Sequence, residues 1–198
     1  MPLMSRFDAI LILKSQKVSG RNHTKMRKNN TDFLKLCIAD AIIELLKTTP
    51  FEKISINEIT SKAGVGRATY FRNFSSKTEA ITFKVITMWS VWCEKNGQSP
   101  EDQLTFKNSV DFFNFSYENK ELYKILYNTG LQSTIYDAFY SVIMKQQRST
   151  SEEYYKSRFL SYGVYGIVNE WVKRDFKEPP QEIALILKNT IKKLQIDI

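Results

Sequence analysis

Residues 55–74 read Ser-Ile-Asn-Glu-Ile-Thr-Ser-Lys-Ala-Gly-Val-Gly-Arg-Ala-Thr-Tyr-Phe-Arg-Asn-Phe, and the fold turns on this stretch. Ser55 stands three residues before Glu58, the register of a capping box, in which a hydroxyl and a carboxylate satisfy the first amides of a helix. Ile56, Ile59 and Ala63 then fall on one helical face. Gly64 can take the positive φ that ends such a helix, Ala63 allows close helix approach, and Val65 is an apolar plug. Gly66 to Phe74 forms a second short helix. Two short helices joined by this turn cross steeply, and the second projects from the surface.

The flanks extend the helical pattern. A first helix is expected from about Thr31 to Thr49, with Phe33, Leu36, Cys37, Ala41, Ile42, Leu45 and Leu46 at helical spacing. Pro50 stops it, because the residue before a proline avoids helical angles. Ser76 and Glu79 repeat the capping register and open a helix to about Glu94. After the polar break Asn96–Pro100, helices are expected near 101–117, 119–128, 131–147, 152–175 and 179–195. Gly130, Ser149-Thr150-Ser151 and Pro179-Pro180 separate them. With 7 glycines and 5 prolines in 198 residues, short loops between helices fit better than an all-β chain. The predicted fold class is all-α: a three-helix helix-turn-helix unit followed by a helical bundle.

Charge separates the two parts. Residues 1–81 hold 14 Lys/Arg against 7 Asp/Glu, a net +7, whereas residues 82–198 hold 15 against 14, a net +1. A basic N-terminal part beside a near-neutral remainder suits a polyanion-binding module joined to something else. A helix about 10 Å wide fits the major groove of B-DNA. The outward positions of the second short helix are short or polar: Gly66, Arg67, Ala68, Thr69, Arg72 and Asn73. Arg67 suits a guanine edge or a phosphate, and Thr69 suits a thymine methyl or a hydrogen bond. Ser55 and Lys77 stand at helix N-termini, where amides and dipole favour a phosphate.

Other chemistry finds little material. One histidine, His23, offers no nucleophile–base pair. Neither phosphate-loop pattern, GxxxxGK nor GxGxxG, occurs. Cys37 and Cys93 sit in apolar helical patterns and read as buried thiols in a reducing cytoplasm, with no zinc spacing. No enzyme activity, cofactor or metal site is expected. Ala9–Leu13 is a short apolar run between Asp8 and Lys14, and no stretch reaches the length needed to span a bilayer, so no membrane partner is expected. Residues 1–25 read as weakly structured: a mobile basic arm, or the product of an upstream start codon with Met26 as the functional start.

The segment Phe51–Ile81 resembles the N-terminal domain of the TetR family of bacterial regulators. Phe51, Ser55, Ala63-Gly64-Val65, Tyr70-Phe71 and Phe74-Ser75-Ser76-Lys77 carry the likeness, which with the preceding helix covers roughly residues 27–80. The resemblance implies phosphate contacts at Ser55 and Lys77, a reading face at Arg67, Ala68 and Thr69, and a backbone contact at Asn73, beside the outward Gly66. The family places an apolar residue and then a tyrosine whose hydroxyl meets a phosphate. This chain has Tyr70 then Phe71, so Phe71 lacks that hydroxyl, and Tyr70 has two places open to it: the core, or part of the missing contact. Phe159, Gly163, Gly166, Ile167, Trp171, Pro179, Ile183 and Ala184 are similar to the C-terminal domain of dihydroxyacetone-kinase-type members.

The implied division is an N-terminal extension (1–25), a DNA-binding domain (26–80) and a regulatory and dimerisation domain (81–198). The implied partners are a palindromic double-stranded DNA operator, a second copy in a homodimer, and an unidentified small-molecule effector. The function implied is a ligand-responsive repressor. Aromatics such as Trp89, Trp92, Phe112, Tyr123, Tyr136 and Phe139 suit a planar ligand pocket or plain core packing, and packing is what buried aromatics generally do. A small helical enzyme and a protein adaptor that has lost DNA binding are the rival classes. Arg67, Arg72 and Lys62 argue against the adaptor.

Overall fold

The computed structural model describes residues 23–98, 109–144 and 150–193. These residues form nine α-helices: α1 His23–Leu46, α2 Ile56–Ala63, α3 Arg67–Asn73, α4 Lys77–Lys95, α5 Ser109–Glu118, α6 Lys120–Asn128, α7 Ser133–Met144, α8 Ser151–Lys173 and α9 Pro180–Lys193. A single 3₁₀ turn, Phe51–Lys53, precedes α2. The short apolar run Ala9–Leu13 and most of the expected N-terminal extension lie outside the described residues, as do 101–108 and 145–149.

Local rules set most of the boundaries. Ser55 caps α2 with a full capping box: its hydroxyl accepts from the Glu58 amide, and the Glu58 carboxylate accepts from the Ser55 amide. Thr150 and Glu153 make the same box at α8. At α4 the Ser76 hydroxyl accepts from the Glu79 amide, but the Glu79 carboxylate turns one residue further back, to the amide and hydroxyl of Ser75. Pro180 occupies the first turn of α9, where a missing amide costs nothing. The Val65 amide reaches back to Thr60 across the end of α2.

Among the helix ends that differ from expectation, two have a clear physical cause. Helix α1 starts at His23, eight residues before Thr31, because Lys25, Met26, Arg27 and Lys28 are good helix formers that let the helix run on. Helix α8 stops at Lys173. Asp175 and Phe176 follow at φ 57° and 56°, a left-handed conformation that non-glycine residues rarely hold. Burial offsets that strain: Phe176 is 4% exposed and packs on Trp171 with ring centroids 4.8 Å apart.

One continuous apolar cluster runs from Cys37 in α1 to Leu187 in α9. Helix α4 lies at its centre, against α1 on one side and α7 on the other. Trp89 of α4 is fully buried, with rings of Trp92, Phe112, Phe115 and Phe139 all within 6.3 Å of it. Lys84 of α4 is buried too, and its ammonium meets the Asp40 carboxylate of α1 at 2.5 Å. Cys37 and Cys93 are both buried as thiols. Among the described residues no helix is long and apolar enough to cross a membrane.

Two predictions follow from the α2 boundaries. Gly64 holds φ 69°, ψ 35°, and a Cβ added there would meet nothing within 4 Å. Gly64→Ala therefore isolates backbone strain, and should lower the urea-unfolding free energy by about 1 kcal/mol after the gain from a stiffer unfolded chain is subtracted. The Glu58 carboxyl is held below the usual carboxylate range by hydrogen bonds from the Ser55 hydroxyl and then the Ser55 amide. A depressed carboxyl pKa stabilises the fold fully above the pH where unfolded glutamate titrates, and that stabilisation is lost as pH falls through the folded value. Ser55→Ala should move the Glu58 titration up toward the ordinary glutamate value by NMR. Its stability deficit relative to the parent should shrink as the pH is lowered through that range.

Candidate nucleic-acid interface

Helix α3 has two unlike sides. Tyr70 and Phe74 point inward, 2% and 3% exposed, and fasten the helix onto α1 and α2. The Phe74 ring packs on Phe83 of α4, and the Lys35 ammonium of α1 lies 4.2 Å from the Phe83 ring centre. With the inner side so fixed, Gly66, Arg67, Ala68, Phe71 and Arg72 face solvent. Lys62, in the last turn of α2, is exposed as well. Among the described residues neither Arg67 nor Arg72 is paired with a carboxylate. The result is a convex, cationic ridge one helix wide, which is the shape and sign a major groove accepts.

The structure sorts the nine expected residues. Gly66, Arg67, Ala68 and Phe71 share the exposed ridge. Thr69 and Asn73 are half-buried at its edge, and the Asn73 amide nitrogen donates to the Thr69 carbonyl at 2.7 Å. That bond commits one end of Asn73 to its own helix and leaves the carbonyl end.

Tyr70 is corrected. Its side chain belongs to the core, so of the two places open to it in the sequence the structure takes the inner one. Burial pushes its hydroxyl pKa up, with the nearby Glu79 charge acting in the same direction.

Ser55 and Lys77 keep their places at helix starts, but their side chains are engaged. The Ser55 hydroxyl donates to Glu58 Oε2 at 2.7 Å, which spends its proton inside the capping box and sets a carboxylate beside it. The Lys77 Nζ donates to the carbonyls of Phe51 and Ile54, at 2.5 and 2.9 Å, and sits 4.2 Å from the Phe51 ring centre. The Lys77 ammonium thus forms an internal clamp. Phe51 and Lys77 are 26 residues apart, and no local spacing rule signals that they meet.

The bundle beyond carries a second exposed feature. Tyr155, Phe159 and Tyr162 of α8 are 79%, 63% and 55% exposed and stand at positions i, i+4 and i+7. Gly163 and Gly166 lie along the same stripe with open space above them, and Leu185 and Ile186 of α9 are exposed as well. Phe159 and the two glycines carried the sequence signal here, whereas Tyr155 was not picked out. Arg158 stacks on Tyr140, 3.7 Å from its ring centre, and donates to the Tyr136 hydroxyl at 2.6 Å. Among the described residues no three His, Cys, Asp or Glu side chains are placed to share a metal ion.

Residues 38–80 match the family described as bacterial regulatory proteins, tetR family, and residues 105–193 match one described as transcriptional regulator C-terminal region. No curated protein matches the chain. A solved structure described as dihydroxyacetone kinase operon activator DhaS is similar to it at 16% identity and TM-score 0.47, covering 81% of this chain and 95% of that one. That likeness is too distant to carry an argument. The two family matches span both ends of the molecule, with the first covering the α2–α3 turn and its cationic ridge. The chain belongs to the TetR family, and is a DNA-binding transcription regulator and not an enzyme.

Proposed function

We propose that the protein is a ligand-responsive repressor that acts as a homodimer on a near-palindromic operator. In this reading residues 26–80 are the DNA-binding domain and residues 81–198 the regulatory and dimerisation domain, the protein working in the cytoplasm. The observation that carries it is the exposed face of α3, with Arg67 and Arg72 meeting no carboxylate among the described residues, on a helix whose other side is locked in the core. Gly66, Arg67, Ala68, Thr69 and Phe71 would read base edges, while Asn73 and the helix starts at Ser55 and Lys77 would set register on the phosphates. At these helix starts the first-turn amides beyond the cap take this role, because the Ser55 and Lys77 side chains are engaged elsewhere and the Ser55 amide is bonded to Glu58.

The exposed stripe on α8 and the apolar residues on α9 support the second copy. Three exposed rings on one helical line, flanked by bare glycines, resemble half of a helix–helix interface more than a wetted surface. Two copies of α8 and α9 would make a four-helix interface and fix the two reading helices one helical turn apart along the duplex. An effector bound in the second domain lowers operator occupancy if it binds more tightly to a dimer with the wrong separation. Repression then follows from blocking a promoter, and its relief from vacating the operator.

Selection of bound sequences from random duplex DNA, followed by gel shift, tests the reading, and recovery of a palindromic site is the expected result. Arg67→Ala should cost about 1 to 3 kcal/mol of affinity for that site, and Thr69→Ala should weaken it less, both with the dimer intact. Binding that ignores both changes would remove the α3 face from the reading surface. Affinity should fall steeply as salt is raised, since phosphate contacts release counterions. Phe159→Lys should give a monomer in sedimentation velocity and lose the palindromic site, and a variant that remains dimeric would place the interface elsewhere.

A further inference from the structure

Phe71 is the large apolar side chain that α3 leaves in solvent, at 60% exposed, between buried Tyr70 and exposed Arg72. Folding gains little from it. Its ring meets the Tyr70 ring edge-on, with centroids 5.4 Å apart and planes at 87°, and the Arg67 guanidinium lies 5.9 Å from its centre. Those two neighbours hold the ring from the inside and from one turn back, while its outer edge remains open. Arg67 and Phe71 are four residues apart and therefore share one face, and Ala68 between them is short. Any duplex that Arg67 touches through its major groove thus comes up against the Phe71 edge.

A ring without a hydroxyl has no hydrogen bond to offer a phosphate oxygen or a base acceptor. Pressing it against such groups strips them of water with no return. Of the base edges in the major groove, thymine alone offers an apolar group, the C5 methyl. We propose that Phe71 is a specificity-determining residue that takes up a thymine methyl in each half-site. The proposal rests on α3 being the reading helix, and adds to that reading one defined base preference.

The test uses the full-length protein and the duplex it selects. Each thymine is replaced in turn by deoxyuridine, which deletes one methyl and keeps the pairing and the carbonyl acceptor. The parent protein should lose about fourfold in affinity, the worth of one buried methyl, at one thymine per half-site. Phe71→Ala should bind the parent and the deoxyuridine duplex equally well, and Phe71→Leu should retain part of the discrimination. Circular dichroism confirms that each variant is folded, and Phe71→Gln serves as a helix-compatible polar replacement if the alanine variant is not. The proposal is overturned if the parent is indifferent to every deoxyuridine. It is equally overturned if the loss persists undiminished in the variants, which would hand the methyl to Ala68 or Thr69. Sequence-specific binding with no methyl dependence removes Phe71 alone, whereas a selection that recovers no sequence removes the DNA reading with it.

Discussion

Helix α4 is buried from both sides, and the molecule is organised around that constraint. Its 19 residues make a rod about 28 Å long. The rod begins at the Ser76 cap, just beyond α3, and carries Trp89 into the aromatic cluster formed with α5 and α7. Ile81, Val85 and Met88 fill the space between. The Lys84–Asp40 pair fixes how the rod is rotated on α1, because a buried ammonium turned away from its carboxylate would be left uncompensated. Close-packed interfaces of this kind shift between discrete arrangements instead of bending smoothly. Movement at the aromatic end would therefore reach the α3 end as displacement of a rigid body.

Features governed by near neighbours were legible in the sequence. The Ser55–Glu58 box, Gly64 at positive φ and the prolines opening α9 each depend on residues within four positions, and the structure has all three. Features governed by distant partners were not. Tyr70 and Phe71 are adjacent aromatics, and only the docking of α3 on α1 decides which one turns inward. Lys77 looks like a phosphate ligand from its own helix, and only the return of the Phe51 turn shows where its protons go. Thr31 and Asp32 look like a helix opening, yet α1 already begins at His23.

The aromatic residues of the second half show how composition misleads about function. Trp89, Phe113, Phe115 and Tyr123 are 2% exposed or less, and their rings pack edge to face, so they are spent as core. The Tyr123 hydroxyl is shared with Ser116 at 3.0 Å, and burial drives its pKa far up. Tyr127 differs, since its buried hydroxyl has no hydrogen-bond partner among the described residues. Burial is the larger cause of its raised pKa, and nearby Tyr165 acts in the same direction. Counting rings could not have separated these cases, because the difference lies in which hydroxyls are answered.

The Lys77 clamp acts as a noncovalent cross-link. It ties Phe51 and Ile54 to the start of α4, and the chain between those points is the whole of α2, the Gly64 turn and α3. A closed loop explores fewer orientations than an open one. The angle between the projecting helix and the central rod is thus narrowed before any duplex arrives, and the ordering that groove entry would otherwise demand has already been met by the fold.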